Sequence, residues 1–155
     1  RRHTRYISVT GVQTCALPIY EASQAGVKIE LIVRGACSLR PGVAGLSDTI
    51  RVRSIVGRYL EHSRIFNFHN EGANDVYLSS ADWMNRNLFR RIEIAFPVLD
   101  PQLKKRVIQE GLQPYLKDNQ NSWELDSEGY YHRRTVRTGQ TEFSAQNYLM
   151  QTLGG

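Results

Sequence analysis

The segment Val27 to Gly35, VKIELIVRG, alternates apolar and polar positions and then runs apolar from Leu31 to Val33. That pattern predicts the most buried strand of the chain, in a sheet with helices against it. Just before it, Glu21 to Gly26 predicts the last turn of a helix closed by Gly26 in a left-handed cap. A loop rich in turn residues follows, with Pro41, Gly42, Gly45, Ser47 and Asp48. Ile50 to Val56 predicts a second strand and Gly57 to Ser63 a short helical or irregular link. Arg64 to Phe68 and Val76 to Ser79 predict a strand pair joined by a polar turn around Asn70 to Asn74, where Gly72 is free to take a positive φ. The alternation of Ile92, Ile94 and Phe96 predicts a further strand that Pro97 ends. Asp100 before Pro101 is the signature of a helix N-terminus. The stripe Leu103, Val107, Ile108, Leu112 and Tyr115 has helical spacing and predicts a core-facing side. A polar hairpin or loop is expected over Trp123 to Val136, and Ser144 should cap a last helix carrying Tyr148, Leu149 and Leu153. The order of elements predicts an α/β fold, a mixed sheet flanked by helices.

The 155 residues suffice for one compact domain. No run approaches the roughly 18 apolar residues of a membrane-spanning helix, so a soluble chain is expected. The formal charge of +5 invites a nucleic-acid reading, but Arg1, Arg2 and Arg5 lie in the first nineteen residues, which hold no Asp or Glu. Without that segment 17 basic residues face 15 acidic ones, and no nucleic-acid partner is expected. Cys15 falls in the same segment, which leaves Cys37 alone. One cysteine makes neither a disulfide framework nor a metal cluster and fits a reducing, cytoplasmic compartment.

Val9 to Ile19, VTGVQTCALPI, resembles the translation of a sequencing-adapter oligonucleotide in one reading frame. A signal peptide is the alternative, but Thr10, Gly11, Gln13 and Thr14 interrupt the apolar stretch such a peptide needs. Residues 1–19 are therefore expected to be non-native and 20–155 to form the domain, incomplete at its N-terminus.

The candidate chemistry lies in the next forty or so residues. Arg34 ends the predicted strand beside Gly35, at the edge where ligands of open α/β sheets gather. A guanidinium there suits a pair of phosphate oxygens gripped bidentately, or equally a structural pairing with a core-edge carboxylate. From Lys28 to Arg64 there are seven basic residues, six of them arginine, against Glu30, Asp48 and Glu61. Arg51 and Arg53 share a strand face by period-two spacing, as if lining a channel. As a group the arginines favour a phosphorylated ligand, although a solvated charged face explains any one of them. His62, two residues before Arg64, is placed to exchange a proton with a transferred oxygen while the cation holds charge. His69 and His132 have sparser surroundings. Ser79-Ser80-Ala81-Asp82 is explained by helix capping, and Trp83 and Trp123 by packing. Gly42 and Gly45 form no phosphate-loop motif, and no metal-ligand spacing is present.

The runs GVKIELIVRGACSLRPG, IRVRSIVGRYLEHSRIFNF and VYLSSADWMNRNLFRRIEIAFPVLDP, in that order, resemble the final domain of bacterial polyphosphate kinases, a domain related to the phospholipase D superfamily. The likeness runs nearly continuously from Tyr20 to about Leu116. It implies a phospholipase D-like fold and reversible transfer of the terminal phosphate of ATP onto polyphosphate, with ATP, ADP and polyphosphate as partners. It also implies that Arg34 and His62 contact ATP phosphates and that His62 is catalytic. Arg51, Arg53 and Arg64 are then candidate polyphosphate contacts. His62-Ser63-Arg64 resembles a histidine-x-lysine motif with arginine substituted, and Ser79 to Asp82 the polar turn that follows it. The phosphorylated histidine and the magnesium-associated arginines of the family belong upstream of Tyr20. Magnesium is accordingly expected in the full enzyme with no ligands in this chain, and the isolated chain is expected to be inactive. The full enzyme is expected to be a homo-oligomer, cytoplasmic or peripheral to the inner membrane. Two alternatives remain: a phospholipase D-like phosphodiesterase, which would want lysine at Arg64 and aspartate at His69, and a non-catalytic α/β module that binds polyanions or nucleic acid.

Overall fold

The computed structural model describes residues 12–154, with side chains from residue 17 onward. Helix α1 (Val12–Gln24) ends in a Schellman turn. The amide of Gly26 bonds the carbonyl of Ser23 and that of Val27 the carbonyl of Ala22, with Gly26 at φ 85°. Glycine closes the turn because a Cβ is disfavoured at that φ.

One sheet holds strands β1 (Ile29–Ile32) and β2 (Ile50–Ile55), with β6 (Ser122–Leu125) and β7 (Tyr131–Arg133) beyond them, in the order β1-β2-β6-β7. β1 and β2 run parallel with Ile29 opposite Ile50, while the other two pairings are antiparallel. On one face Ile50, Val52 and Leu125 form a buried cluster, covered by Ile19 and Tyr20 of α1 and by Leu31, Val33 and Tyr131. The apolar run of β1 had predicted the most buried strand. That place belongs to β2, where every residue but Arg51 is buried, because among the described residues β1 is an edge strand with a single neighbour and stays half-exposed.

A second, antiparallel sheet contains β3 (Ile65–Phe68), β4 (Asp75–Ser79) and β5 (Ala95–Pro97). The turn between β3 and β4 puts Gly72 at φ 96°, flanked by Asn70, Glu71 and Asn74, also at positive φ. Helix α2 (Asn85–Arg90) joins β4 to β5. The strand expected over Arg91 to Phe96 shrinks to its last residues. Ile92 is fully exposed, Ile94 63% and Phe96 50%, since this sheet face lacks a covering layer among the described residues.

Helix α3 (Pro101–Gly111) starts as the sequence predicts: the Asp100 carboxylate accepts from the amides of Gln102 and Leu103 at 2.8 and 2.9 Å. Its apolar stripe is only half covered, with Leu103 52% exposed and Val107 and Ile108 intermediate. Gly111 lies against Ile65 of β3 so closely that a Cβ would strike the isoleucine side chain. The helix turns at Leu112 into α4 (Gln113–Lys117). Helix α5 (Ala145–Leu153) is capped by Ser144. Its first amide, from Ala145, donates to the fully buried carboxylate of Asp118 at 2.8 Å, which also accepts from the amides of Gln120 and Asn121. Among the described residues no helix is long and apolar enough to cross a membrane.

Candidate functional site

Parallel pairing of β1 with β2 carries the chain past Ile32 to Arg34 at the carboxyl edge of the sheet. The loop that leaves β2 returns at Arg64 to begin β3, passing His62 on the way. The polar turn after β4 delivers Asp82. These three segments meet. Arg64 Nε donates to Asp82 Oδ1 at 3.0 Å, and Arg34 Nη2 reaches Asp82 Oδ2 at 3.5 Å. Arg34 Nη1 donates to the carbonyl of Glu61 at 3.2 Å, which ties the β1 edge to the residue preceding His62. Arg64 Nη1 lies 2.9 Å from His62 Nδ1 and 3.0 Å from the His62 carbonyl.

A guanidinium only donates, so Nδ1 of His62 is the acceptor in this contact and the ring proton sits on Nε2. The Nε2–H of His62 can then serve as a hydrogen-bond donor, and Arg64 orients the ring that carries it. The hydrogen bond from Arg64, aided by the charges of both arginines, holds the Asp82 carboxyl below its ordinary range. Two guanidiniums and one carboxylate leave the cluster with a surplus positive charge, partly exposed at side-chain accessibilities of 31% for Arg34 and 18% for Arg64. Such a constellation can grip an anion and stabilise charge that builds on it.

Of the residues expected to carry the chemistry, Arg34, His62 and Arg64 are brought together. Arg51 and Arg53 are not part of the group. Arg53 was expected beside Arg51 on a channel-lining face as a possible polyphosphate contact, and the structure corrects that placement. Its side chain is 8% exposed, with Nη2 on Glu30 at 2.8 Å and Nη1 on the carbonyl of Leu116 at 2.8 Å, so both ends of the fork are occupied. Arg51 is exposed but pairs in register with Glu30, four residues before Arg34. At about 3.3 Å per residue it lies roughly 13 Å down the sheet from Arg34.

Asp82 is the residue that sequence reasoning passed over, because Ser79 to Asp82 was explained as helix capping. The structure corrects that reading too: α2 has Met84 at its N-cap with no side-chain cap bond. Ser79 Oγ instead accepts from the amide of Ala81, while Ser80 Oγ bonds Glu93 and accepts from the amide of Ile94. Hydrogen bonds from Ser80 and Asn87 hold the Glu93 carboxyl below its ordinary range. The missed signal was an acidic residue in a polar turn, opposite the most arginine-rich stretch of the chain. Trp83 stacks on Phe66 with ring centroids 5.4 Å apart, which agrees with a packing role. His132 is occupied by Asp126 in the β6–β7 hairpin, at 2.6 Å.

Two sheets bring an arginine pair and an imidazole together beside one carboxylate in a mixed α/β domain. Residues 13–146 match the family model described as "Polyphosphate kinase C-terminal domain 2", and the chain belongs to that family. It is 63% identical over 137 residues to a polyphosphate kinase of Burkholderia lata, covering 88% of this chain and 20% of that protein. To a polyphosphate kinase of Burkholderia cenocepacia it is 65% identical over 132 residues, 85% of this chain and 19% of the relative. The crystal structure of polyphosphate kinase from Porphyromonas gingivalis superposes with a TM-score of 0.86 at 43% identity, covering 92% of this chain and 22% of that one. That likeness agrees with the expected fold class, a mixed α/β domain with helices against its sheets. The chain spans about a fifth of the length of the curated relatives it matches.

Proposed function

We propose that this chain is the part of a polyphosphate kinase that holds the phosphates of ATP and polyphosphate during reversible transfer of the terminal phosphate of ATP to the polymer. The observation that carries the reading is the convergence of Arg34, Arg64 and the imidazole of His62 at one sheet edge. Arg34 clasps phosphate oxygens as a two-pronged donor. Arg64 fixes the imidazole, and His62 donates an Nε2–H hydrogen bond to an oxygen of the transferred group. The group that receives the phosphate covalently is supplied by a part of the enzyme upstream of Tyr20. Magnesium, which the family implies for the full enzyme, finds no cluster of three His, Cys, Asp or Glu donors among the described residues. We place the full enzyme in the cytoplasm, free or peripheral to the inner membrane, as a homo-oligomer. We place the start of native sequence near Tyr20, which sequencing of the upstream genomic frame tests.

The test is ATP-dependent polyphosphate synthesis by the full-length enzyme and by its Arg34→Ala and His62→Ala variants. Synthesis by the wild type and its loss in both variants are expected. The isolated 155-residue chain should make no polymer. Full activity in both variants would remove the site from the mechanism.

A further inference from the structure

His62 rides on a segment, Gly57 to Ser63, that has no regular secondary structure and is largely exposed: Tyr59 is 48% and Leu60 74% accessible. A catalytic imidazole on such a loop needs something rigid to hold it. The structure supplies one buried side chain for the purpose. Gln146, in the first turn of α5, is 5% exposed although its type is normally found on the surface. Its Oε1 accepts from the amide of Tyr59 at 3.0 Å, and its Nε2 donates to the carbonyl of the same residue at 2.7 Å. Nε2 also donates to the Glu61 carboxylate at 2.5 Å. One side-chain amide thus satisfies both backbone groups of Tyr59, as a neighbouring strand would, and pins the carboxylate of the residue preceding His62. The fit is reciprocal, because a Cβ at Gly57 would collide with the Gln146 amide.

The anchor behind the amide is itself fixed. Asp118 holds the first amide of α5, and Asn121 Nδ2 donates to Ser144 Oγ at 2.9 Å. On the far side, the Glu61 carbonyl takes the guanidinium of Arg34. A continuous set of hydrogen bonds therefore runs from the start of α5 to both Arg34 and the His62 loop. Burying a glutamine is costly unless each polar atom is paired, and here every partner lies on or beside the loop that bears the imidazole.

We propose that Gln146 is a positioning residue for the phosphate-transfer reaction, setting the place of His62 and the carbonyl that orients Arg34 without touching the substrate. The inference rests on the function proposed above. Two variants of the full-length enzyme test it: Gln146→Leu removes all three bonds at similar size, and Gly57→Ala sets a methyl against the Gln146 amide from the loop side while keeping the glutamine. Loss of placement by about 1 Å lowers kcat for polyphosphate synthesis on the order of 100-fold. The second readout is the nitrogen NMR spectrum of His62, in which the Nδ1 signal of a ring accepting from Arg64 should change in both variants. A lowered thermal midpoint with kcat within twofold of wild type and an unchanged His62 spectrum would make Gln146 a purely structural residue and overturn the proposal. If the wild type itself makes no polyphosphate, the kinase reading falls, while the His62 spectrum of each variant still decides whether Gln146 sets the ring.

Discussion

Replacing Arg53 by methionine separates a structural arginine from a ligand-binding one. The guanidinium donates at 2.8 Å both to Glu30 and to the Leu116 carbonyl, and the side chain is 8% exposed. Charge-assisted hydrogen bonds are worth about 1.5–3 kcal/mol each, so the two together contribute roughly 3–6 kcal/mol. Two effects oppose the loss. Arg53 Nε is buried with no partner, and removing it relieves about 1–3 kcal/mol. Glu30 is 41% exposed, so its freed carboxylate rehydrates rather than remaining trapped. The balance is a destabilisation of about 2 kcal/mol, which for a domain of this size lowers the thermal midpoint by about 4–8 °C. Thermal unfolding followed by circular dichroism measures the shift. The KM of the corresponding full-length variant for polyphosphate should remain within about twofold of wild type, because an occupied and shielded guanidinium has nothing to give the polymer. An unchanged midpoint together with a raised KM would show a guanidinium free for the ligand and refute the assignment.

Asp100→Ala removes the two bonds that cap α3 and should cost about 1 kcal/mol, seen as a fall of a few degrees in the thermal midpoint; no change would mean that the cap is dispensable. Arg34→Ala and His62→Ala in the full-length enzyme should each lower kcat/KM by at least about 100-fold, with the double variant little worse than either single one, because the groups act on the same phosphate. The Asp82 carboxyl is held below its ordinary value of 3.8, mainly by the Arg64 hydrogen bond. A depressed carboxylate contributes fully above its unfolded-state pKa, and that contribution is lost as pH falls through the folded-state value. The bridge between the arginines should therefore hold down to below pH 3.8 and break only beneath it, as carbon NMR titration of Asp82 will report; a midpoint at or above 3.8 would sink the assignment. In Asp82→Asn the bridge is weakened at every pH, and the titration disappears.

Local chemistry was legible wherever the sequence determines it within a few residues. Gly26 as a left-handed cap, Asp100 with Pro101 as a helix start, Gly72 in the hairpin turn and Ser144 before α5 all act through neighbours one to four positions away. Burial was less legible, since it depends on which elements lie alongside. The same apolar run that would be buried in mid-sheet is half-exposed in β1 at the edge, and the alternation of Ile92, Ile94 and Phe96 meets no covering layer among the described residues. The site divides in the same way. Arg34, His62 and Arg64 carried signals in residue type and strand position. Asp82 and Gln146 did not, because each acquires its role from partners 18 to 87 residues distant. The buried carboxylate of Asp118 lay in a polar run, KDNQNS, whose composition suggests a solvated loop; only the arrival of α5 turns it into an anchor.

The fate of the arginines shows why their number was a poor guide to an anion channel. Arg40 bonds the Ser127 carbonyl and pairs with Glu128, Arg53 is held inside by Glu30, Arg58 lies over the ring of Tyr59, and Arg51 stands away from the site. Only Arg34 and Arg64 converge, and Asp82 divides them unequally. Arg64 bonds the carboxylate at 3.0 Å, orients His62 and is 18% exposed, whereas Arg34 reaches it at 3.5 Å and is 31% exposed. Under the proposed function, a phosphate entering the site competes with Asp82 for both guanidiniums and wins first where the existing contact is longer and wetter. Arg34 is then the arm that leaves Asp82 for the ligand, and Arg64 the fixed post that keeps the imidazole aimed while it does so. On that reading the carboxylate serves less to neutralise the pair than to hold Arg34 near its working position until an anion arrives.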